Sequence, residues 1–182
     1  MTAMPKIKRD AAGRQRRDVR EAGEARGAFE AEMRRHGLAA RTQVTIERTP
    51  APDDVAERLG VREGTEVLVR RGAMYAGDVP VQVAAGFLPL DVAEGSLLAE
   101  DTGPGGTYSR LADLGHEPTS FVEDVDVRPP SDEEVRVLRM TEGQRVYEIV
   151  REARTSADRV VEVDVIVLPV HQWCLRYKWP AE

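Results

Sequence analysis

The chain has 182 residues, of which 32% are charged, and its formal net charge is −6. This length suits one domain that buries about 70% of its unfolded surface, so stability requires neither a disulfide nor a metal. A single cysteine, Cys174, excludes an internal disulfide framework. No apolar run approaches the ~20 residues of a membrane span, and the N-terminus lacks the apolar core of a signal peptide. We therefore expect a soluble, cytoplasmic protein.

The N-terminal part of the chain differs in charge from the rest. Residues 1–36 contain ten Lys or Arg against six Asp or Glu, whereas the remainder contains sixteen against twenty-six. A basic arm on an acidic body often contacts nucleic acid, although a solvated linker explains the charge equally well. Because residues 1–25 show no periodic apolar face, they are predicted to form a basic linker or frayed arm, and the folded domain is predicted to span 26–182.

The first regular elements follow this arm. Residues 28–36 have Phe29 and Met33 four positions apart on one helical face, and Gly37 supplies a helix stop. Residues 42–49 then alternate in polarity as a strand does.

A helix followed by a β-hairpin occurs twice in the chain. The first hairpin covers residues 63–89 and turns at 76–78, and the second covers 142–169 and turns at 156–158. Gly64 and Gly143 are 79 positions apart, and Pro89 and Pro169 are 80 apart. Short helices after proline are predicted at 53–59 and 132–138. Two copies at this long spacing predict one domain built of two related halves rather than a solenoid.

The segments around the second unit complete the predicted architecture. Residues 91–100 are predicted to be helical, and a glycine-rich loop at 103–106 leads into a helix that ends at Gly115. Strands are predicted at 117–128 and near the end of the chain. Their apolar faces would consist of Phe121, Val125 and Val127 in one strand and Trp173, Leu175, Tyr177 and Trp179 in the other. About six strands and five helices result, which predicts a mostly antiparallel α+β domain.

The residues that could support metal or nucleophilic chemistry are few. His36, His116 and His171 have no His or Cys partner at ligand spacing, so neither a metal nor a cofactor is expected. Cys174 alternates with aromatic residues and is predicted to be a small packed hydrophobe. We therefore expect no enzyme.

Polar and small residues interrupt both return strands on one face. Gln82, Ala84 and Gly86 share one side of the first strand, and Glu162 and Asp164 share one side of the second. This pattern predicts a concave polar pocket, with a solvent-exposed sheet face as the alternative. Amide groups of the loop at 103–106 are predicted to meet a polar or anionic group of a ligand. Alternatively, Thr107 or Ser109 caps the helix that follows.

Several motifs together resemble a known module. These are Phe29-x-x-x-Met33-Arg34-x-x-Gly37, Ala56-x-x-Leu59-Gly60-Val61-x-x-Gly64, Pro80-Val81, Leu88-Pro89, Tyr108-x-x-Leu111 and Val161-Glu162. In order and spacing, over residues 26–179, they resemble the UTRA effector-sensing domain of the HutC branch of GntR-type bacterial transcription regulators. The resemblance implies a chorismate-lyase-like α+β fold, a homodimer and a small-molecule site. The residues that would bind the effector are Met74, Gln82, Ala84, Gly105, Gly106, Thr107, Tyr108 and Glu162.

The chain departs from the family pattern in two ways. The winged helix-turn-helix that reads DNA in the family is not found in residues 1–25, so this chain would not recognise an operator by itself. Gly72 and Met74 stand where relatives that bind amino-sugar phosphates carry arginines, and Ala84 stands where they carry an acid. Glu162 matches the family glutamate of the second return strand. Gly106 stands where a serine often contacts phosphate. We therefore expect the effector to be less charged and more apolar than a sugar phosphate.

The expected function is that of a ligand-sensing domain that controls DNA binding allosterically, as in a repressor, without catalysis. Two alternatives remain. One is an enzyme similar to chorismate lyase, for which no acid–base pair or nucleophile is visible. The other is a stand-alone, truncated dimerisation partner of full-length regulators.

Overall fold

The computed structural model describes residues 6–100, 102–103 and 105–181. Within these residues there are eight strands and six α-helices, with short 3-10 turns at Gly13–Gln15, Ala22–Glu24 and Leu97–Ala99. In chain order the elements are β1 (Ile7–Asp10), α1 (Arg17–Arg20), α2 (Ala28–Arg35), β2 (Ala40–Pro50), α3 (Asp53–Leu59), β3 (Glu66–Ala76), β4 (Val79–Pro89), α4 (Leu90–Ala93), α5 (Gly106–Asp113), β5 (Ser120–Arg128), α6 (Asp132–Leu138), β6 (Val146–Arg154), β7 (Val160–Pro169) and β8 (Trp173–Arg176).

Six of the strands form one antiparallel sheet in the order β2-β3-β4-β7-β6-β5. The first hairpin, β3-β4, and the second, β6-β7, therefore meet in the middle of the sheet through β4 and β7. On either side, β2 and β5 occupy equivalent outer positions. This arrangement confirms both the predicted antiparallel α+β fold and the two related halves.

The two hairpins share an irregularity in their pairing. The register shifts between Met74 and Tyr75 in the first hairpin and between Ala153 and Arg154 in the second, which are equivalent positions 79 residues apart. A β-bulge inserts one extra residue and increases the local twist. The duplication therefore extends to the backbone geometry of each hairpin.

The predicted helices at 53–59 and 132–138 are confirmed with those bounds. The first ends at Gly60, whose φ of 68° suits glycine at a helix C-cap. The second begins with a capping box, in which the Ser131 side chain accepts from the Glu134 amide and the Glu134 carboxylate accepts from the Ser131 amide. The helix predicted at 28–36 is α2, which buries Phe29 and Met33.

The prediction of a linker or frayed arm was wrong for residues 7–25, because these residues pack on the domain. β1 pairs in parallel with β8, and Ile7 and Trp173 are both buried. The Trp173 indole Nε1 also donates to the Val81 carbonyl at 2.6 Å. We call residues 7–26 the N-terminal segment. The start of the effector-sensing domain at residue 26 stays a prediction.

Two predicted apolar surfaces are more exposed than expected. Val125 and Val127 lie on β5, which is an outer strand without a covering layer in the described part of the chain. Tyr177 and Trp179 follow the end of β8 at Arg176 and are exposed rather than on its buried face.

Two local predictions were also wrong. Cys174 is exposed, since it points away from the face on which Trp173 is buried. Residues 91–100 form α4 and a separate 3-10 turn instead of one helix, and this break leaves Leu97 exposed while Val92 and Leu98 remain buried.

Within the described ranges, no helix combines the length and apolarity needed to cross a bilayer.

Candidate effector site

A cavity of about 740 Å³ lies between one face of the central strands, α5 and the N-terminal segment. This volume is within the ordinary range for a small-molecule site. All eight residues predicted to bind an effector line the cavity: Met74, Gln82, Ala84, Gly105, Gly106, Thr107, Tyr108 and Glu162. The structure thus brings them together, and their role in binding stays a prediction.

Strand alternation places the residues of the cavity floor. Gln82, Ala84 and Gly86 alternate along β4, and Glu162, Asp164 and Ile166 alternate along β7 beside it. Small residues give this floor its depth. A Cβ added at Gly86 would lie 2.8 Å from Glu162 Oε1, so the carboxyl group of Glu162 occupies the space above the glycine.

Two acids on β7 form the negative part of the site. Glu162 is buried, and it lies beside Tyr108, which favours its charged form. Burial, followed by the charge of Asp164, raises the pKa of Glu162 to about 8. Burial also raises the pKa of Asp164, against the opposing effect of Arg151. Near neutral pH, Glu162 is therefore largely protonated and able to donate a hydrogen bond.

The side chain of Tyr108 lies near these acids and near Arg151. Burial, with the neighbouring Glu162 next, raises the pKa of Tyr108 well above its ordinary value. The tyrosine therefore stays neutral at physiological pH. Its ring also packs against Phe121 with centroids 5.1 Å apart, which fixes its orientation.

Arg151 on β6 provides the main positive charge opposite Asp164, its cross-strand neighbour. It is buried and forms an ion pair of 2.6 Å with Glu123. With its carboxamide oxygen turned towards Arg151, Gln15 of the N-terminal segment accepts a further hydrogen bond of 2.9 Å. Arg151 therefore links the sheet, the outer strand β5 and the N-terminal segment.

Gln82 is oriented by the N-terminal segment. Arg9 donates to Gln82 Oε1 at 2.7 Å, forms an ion pair with Glu32 at 2.8 Å and lies over the Trp173 ring at 4.2 Å. The Gln82 amide nitrogen contacts Met74 Sδ at 2.8 Å. Two residues predicted to bind an effector are thus positioned by a segment that the sequence did not predict to be folded.

The glycine-rich loop contacts the same segment instead of presenting all its amides to the cavity. The Gly105 amide donates to the Ala25 carbonyl at 2.7 Å. A Cβ on Gly106 would lie 2.9 Å from the Arg26 carbonyl oxygen and 3.1 Å from Gly27 Cα, so only glycine permits this approach. Residue 104 of this loop lies outside the described residues.

Neither Thr107 nor Ser109 caps α5, so that alternative was wrong. The N-cap position is Gly105, without a side-chain capping bond. Ser109 instead donates to Glu21 at 2.6 Å and accepts from Arg20 at 3.3 Å, which joins α5 to the N-terminal segment.

A two-halved α+β sheet with an internal polar cavity, and with a chain segment packed over that cavity, defines a ligand-binding domain. Residues 35–172 match the family model described as the UTRA domain, and the chain belongs to this family.

Relatives and solved structures agree with this assignment. The chain is 32% identical over 122 residues, 65% of its length, to an uncharacterized HTH-type transcriptional regulator of Streptomyces coelicolor, of which it matches 45%. It therefore spans less than half of that relative. PhnF from Mycobacterium smegmatis shares the fold with a TM-score of 0.82 at 19% identity, over 99% of this chain and 74% of PhnF. The C-terminal domain of the histidine utilization repressor from Pseudomonas syringae gives 0.62 at 19% identity, over 78% and 99% respectively.

Sequence reasoning missed the cavity residues that carry positive charge. Arg14 and Arg20 come from the segment thought to be a linker, and Arg70 and Arg151 lie on outgoing strands that were not considered. The sequence did contain a signal for Arg151. This residue lies 79 positions after Gly72 and is its equivalent in the repeat, and the family resemblance already marked Gly72 as a ligand-facing position.

Proposed function

We propose that the chain binds a small-molecule effector in this cavity and transmits binding to a DNA-reading domain, without catalysing a reaction. The observation that carries the proposal is the cavity itself, with its buried acids, Tyr108 and guanidinium groups around one space. Ionisable groups whose pKa values are strongly shifted by burial and by a charged neighbour, and which line a cleft, are candidates for a functional site. Membership of the UTRA family supports the same function.

The surroundings of the cavity support a route of transmission. An effector between the sheet and α5 would touch the glycine-rich loop, which is bonded through Gly105 to Ala25 of the N-terminal segment. A domain placed before this segment would sense its position. Useful coupling between two ligand sites requires only about 1–3 kcal/mol, so a small displacement suffices.

The partners follow from the same proposal. We infer a homodimer in which each N-terminal segment leads to a winged helix-turn-helix, in a cytoplasmic repressor of the HutC branch. A chain that acts as a stand-alone dimerisation partner would also dimerise. Light scattering tests the dimer itself, and operator-binding assays with and without an added DNA-reading domain separate these two forms.

A thermal-shift screen against a metabolite library tests the sensor proposal. A ligand at 100 times its dissociation constant stabilises the folded state by about 2.7 kcal/mol. We expect such a ligand to be found, and its effect to disappear in Ala84→Phe, which fills the cavity floor. Thr45→Phe, on the exposed opposite face of β2, is the matched control and should keep the effect.

Two outcomes would contradict the proposal. One is that no metabolite stabilises the chain, and the other is that stabilisation survives unchanged in Ala84→Phe. Incubation with chorismate serves as the enzymatic control, and release of 4-hydroxybenzoate would favour the lyase alternative over a sensor.

We also propose that the effector is not a sugar phosphate. Gly72 and Met74 lie at the cavity without the paired guanidinium groups that bind a phosphate dianion bidentately. Titration with glucosamine 6-phosphate should therefore show no binding in the micromolar range. Micromolar affinity would overturn this part of the proposal and leave the sensor role intact.

A further inference from the structure

Arg14 of the N-terminal segment lies at the cavity with its charge incompletely compensated. Its side chain is only 4% exposed, and its nearest carboxylate oxygen, on Glu32, is 3.5 Å away. Within the described part of the chain, Arg14 Nε has no hydrogen-bond partner. A buried guanidinium ordinarily has such partners, since an unpaired buried charge is strongly unfavourable.

The carboxylate near Arg14 is already engaged by another arginine. Both Glu32 oxygens accept from Arg9, at 3.2, 3.2 and 2.8 Å. Burial, with the charge of Arg9 next, lowers the pKa of Arg14 to about 9. Arg14 is thus a desolvated cation that shares its nearest carboxylate with Arg9.

Other arginines at the cavity have protein partners. Arg151 is paired with Glu123 at 2.6 Å. Arg20 donates to the Gln15 carbonyl at 2.8 Å and to Ser109. Arg70 donates to the carbonyls of Leu98 and of Glu100, the latter at 2.8 Å. Arg26, which also lines the cavity, has an interaction of its own within the protein. Among these five arginines, Arg14 is the one whose local environment favours an additional anion.

The β7 side of the same cavity has the opposite character. Glu162 and Asp164 lie together on the floor and raise each other's energy when ionised, because burial and mutual repulsion both disfavour two negative charges. A cationic or N–H donor group placed there would stabilise them. The cavity thus has one position, at Arg14, that favours an anion, and another, at Glu162 and Asp164, that favours a cation or an N–H donor.

We propose that the effector is a small amphoteric organic acid, whose carboxylate binds Arg14 of the N-terminal segment and whose cationic or N–H donor group binds Glu162 and Asp164. This inference rests on the proposed sensor function and assigns its ligand class and its point of contact with the segment. A single incompletely paired guanidinium matches a monoanion, whereas a phosphate dianion requires more donors. In this arrangement, the effector itself connects the sheet to the N-terminal segment.

A series of ω-amino acids of increasing length tests whether one ligand binds Arg14 and the two acids at the same time. Glycine, β-alanine, 4-aminobutyrate and 6-aminohexanoate carry the same two groups at increasing separation. Each is titrated calorimetrically into the chain beside a carboxylate and an amine of matched length. We expect one length to bind at least tenfold more tightly than its two monofunctional analogues.

Arg14→Gln is expected to reduce the affinity for that probe at least tenfold. Arg16→Gln is the matched control, because Arg16 lies two positions away with its side chain 70% exposed, paired to Asp18, and outside the cavity. Removal of an incompletely paired buried charge should not lower the melting temperature of the free chain. A purely structural Arg14 would lower it and leave probe affinity unchanged in the folded fraction.

Three results would overturn the inference. They are equal binding by the carboxylate or amine alone, unchanged probe affinity in Arg14→Gln, and failure of every ω-amino acid to bind. The sensor proposal is judged separately, by whether a library metabolite loses its effect in Ala84→Phe. If a metabolite passes that test and binds Arg14→Gln as tightly as the wild type, the sensor proposal is retained and the amphoteric ligand is rejected.

Discussion

The two hairpins share one scaffold but contribute differently to the cavity. Their equivalent apolar positions are equally buried, as Val81 and Val161 are, and as Leu88 and Leu168 are. Their equivalent cross-strand pairs at the cavity differ: the first half has Met74–Gln82, Gly72–Ala84 and Arg70–Gly86, and the second has Ala153–Glu162, Arg151–Asp164 and Ile149–Ile166. At the central pair, the first half therefore provides space, and the second provides charge.

The difference teaches that the two faces of a duplicated sheet diverge independently. Because side chains alternate along a strand, residues that pack the core and residues that line the cavity occupy different positions of the same strand. Substitutions at the cavity can change its chemistry while the packing pattern of the repeat persists. The following predictions test this separation.

The largest difference is expected at the matched central pair. Arg151→Leu removes the partner of Glu123 and leaves buried acids uncompensated, which should lower the free energy of unfolding by about 3–5 kcal/mol. At the equivalent position, Gly72→Ala meets its nearest atom, Met74 Cε, at 3.4 Å and should change stability little. Urea denaturation measures both variants.

A second substitution checks the cause of this loss. Glu123→Gln, added to Arg151→Leu, should recover part of the stability, because it removes one unpaired charge. Equal losses for Arg151→Leu and Gly72→Ala would contradict the assignment of charge to one half.

The apolar scaffold should respond equally in both halves. Leu88→Ala and Leu168→Ala each truncate a fully buried side chain and should each cost about 2–5 kcal/mol. Denaturation should place the two values within about 1 kcal/mol of each other. Leu114→Ala, at an exposed leucine, is the control and should change stability by less than about 0.5 kcal/mol. A clear difference between the stability losses of Leu88→Ala and Leu168→Ala would contradict the equivalence of the two apolar scaffolds.

The second half should give the chain a distinctive pH dependence. The folded-state pKa of Glu162, about 8, lies above its ordinary value of 4.5, so the folded state binds more protons between these pH values. Stability is then present in full below about pH 4.5 and decreases as pH rises towards 8. Asp164 adds to this trend, since its pKa is also raised.

Glu162→Gln mimics the protonated acid and tests this dependence. It should match the wild type near pH 5 and exceed its stability at pH 7.5 by on the order of 2 kcal/mol, since one pKa unit corresponds to about 1.4 kcal/mol. Thermal unfolding across this range measures the effect, and Glu142→Gln at an exposed turn is the control. A wild-type curve that is unchanged by Glu162→Gln would show that Glu162 does not titrate in this window.

The smallest effect is expected at the glycine under Glu162. In Gly86→Ala the new methyl group would lie 2.8 Å from Glu162 Oε1, and displacement of this buried side chain should cost about 1 kcal/mol. The loss should vanish in Gly86→Ala combined with Glu162→Ala, because no atom then opposes the methyl group. Persistence of the loss in the double variant would place its cause in the backbone instead.

The sequence predicted the sheet and most of the cavity floor because both depend on local patterns. Alternation placed Gln82 and Ala84 on one face of their strand and Glu162 on one face of its own, and the spacing of the repeat located both hairpins and both helices. These signals are periodic and lie within a few residues of each other, so they can be recognised without coordinates.

The N-terminal segment could not be predicted in this way. It is held by a four-residue parallel pairing with β8, over 160 positions away, and by the hydrogen bonds of buried Arg9 and Arg20. From sequence alone, arginines are expected to be exposed to solvent, since they are rarely buried unless paired. Their partners, Glu32, Gln82 and Ser109, are distant in the chain, so the pairing is visible only in three dimensions.

The contact between the Gly105 amide and the Ala25 carbonyl offers a label-free reporter. At 2.7 Å, this hydrogen bond protects one amide proton only while the N-terminal segment lies against the start of α5. Its exchange with deuterium would count each detachment of the segment from the body. Mass spectrometry of the peptide that contains Gly105 thus follows this detachment in real time, with no probe attached to the protein.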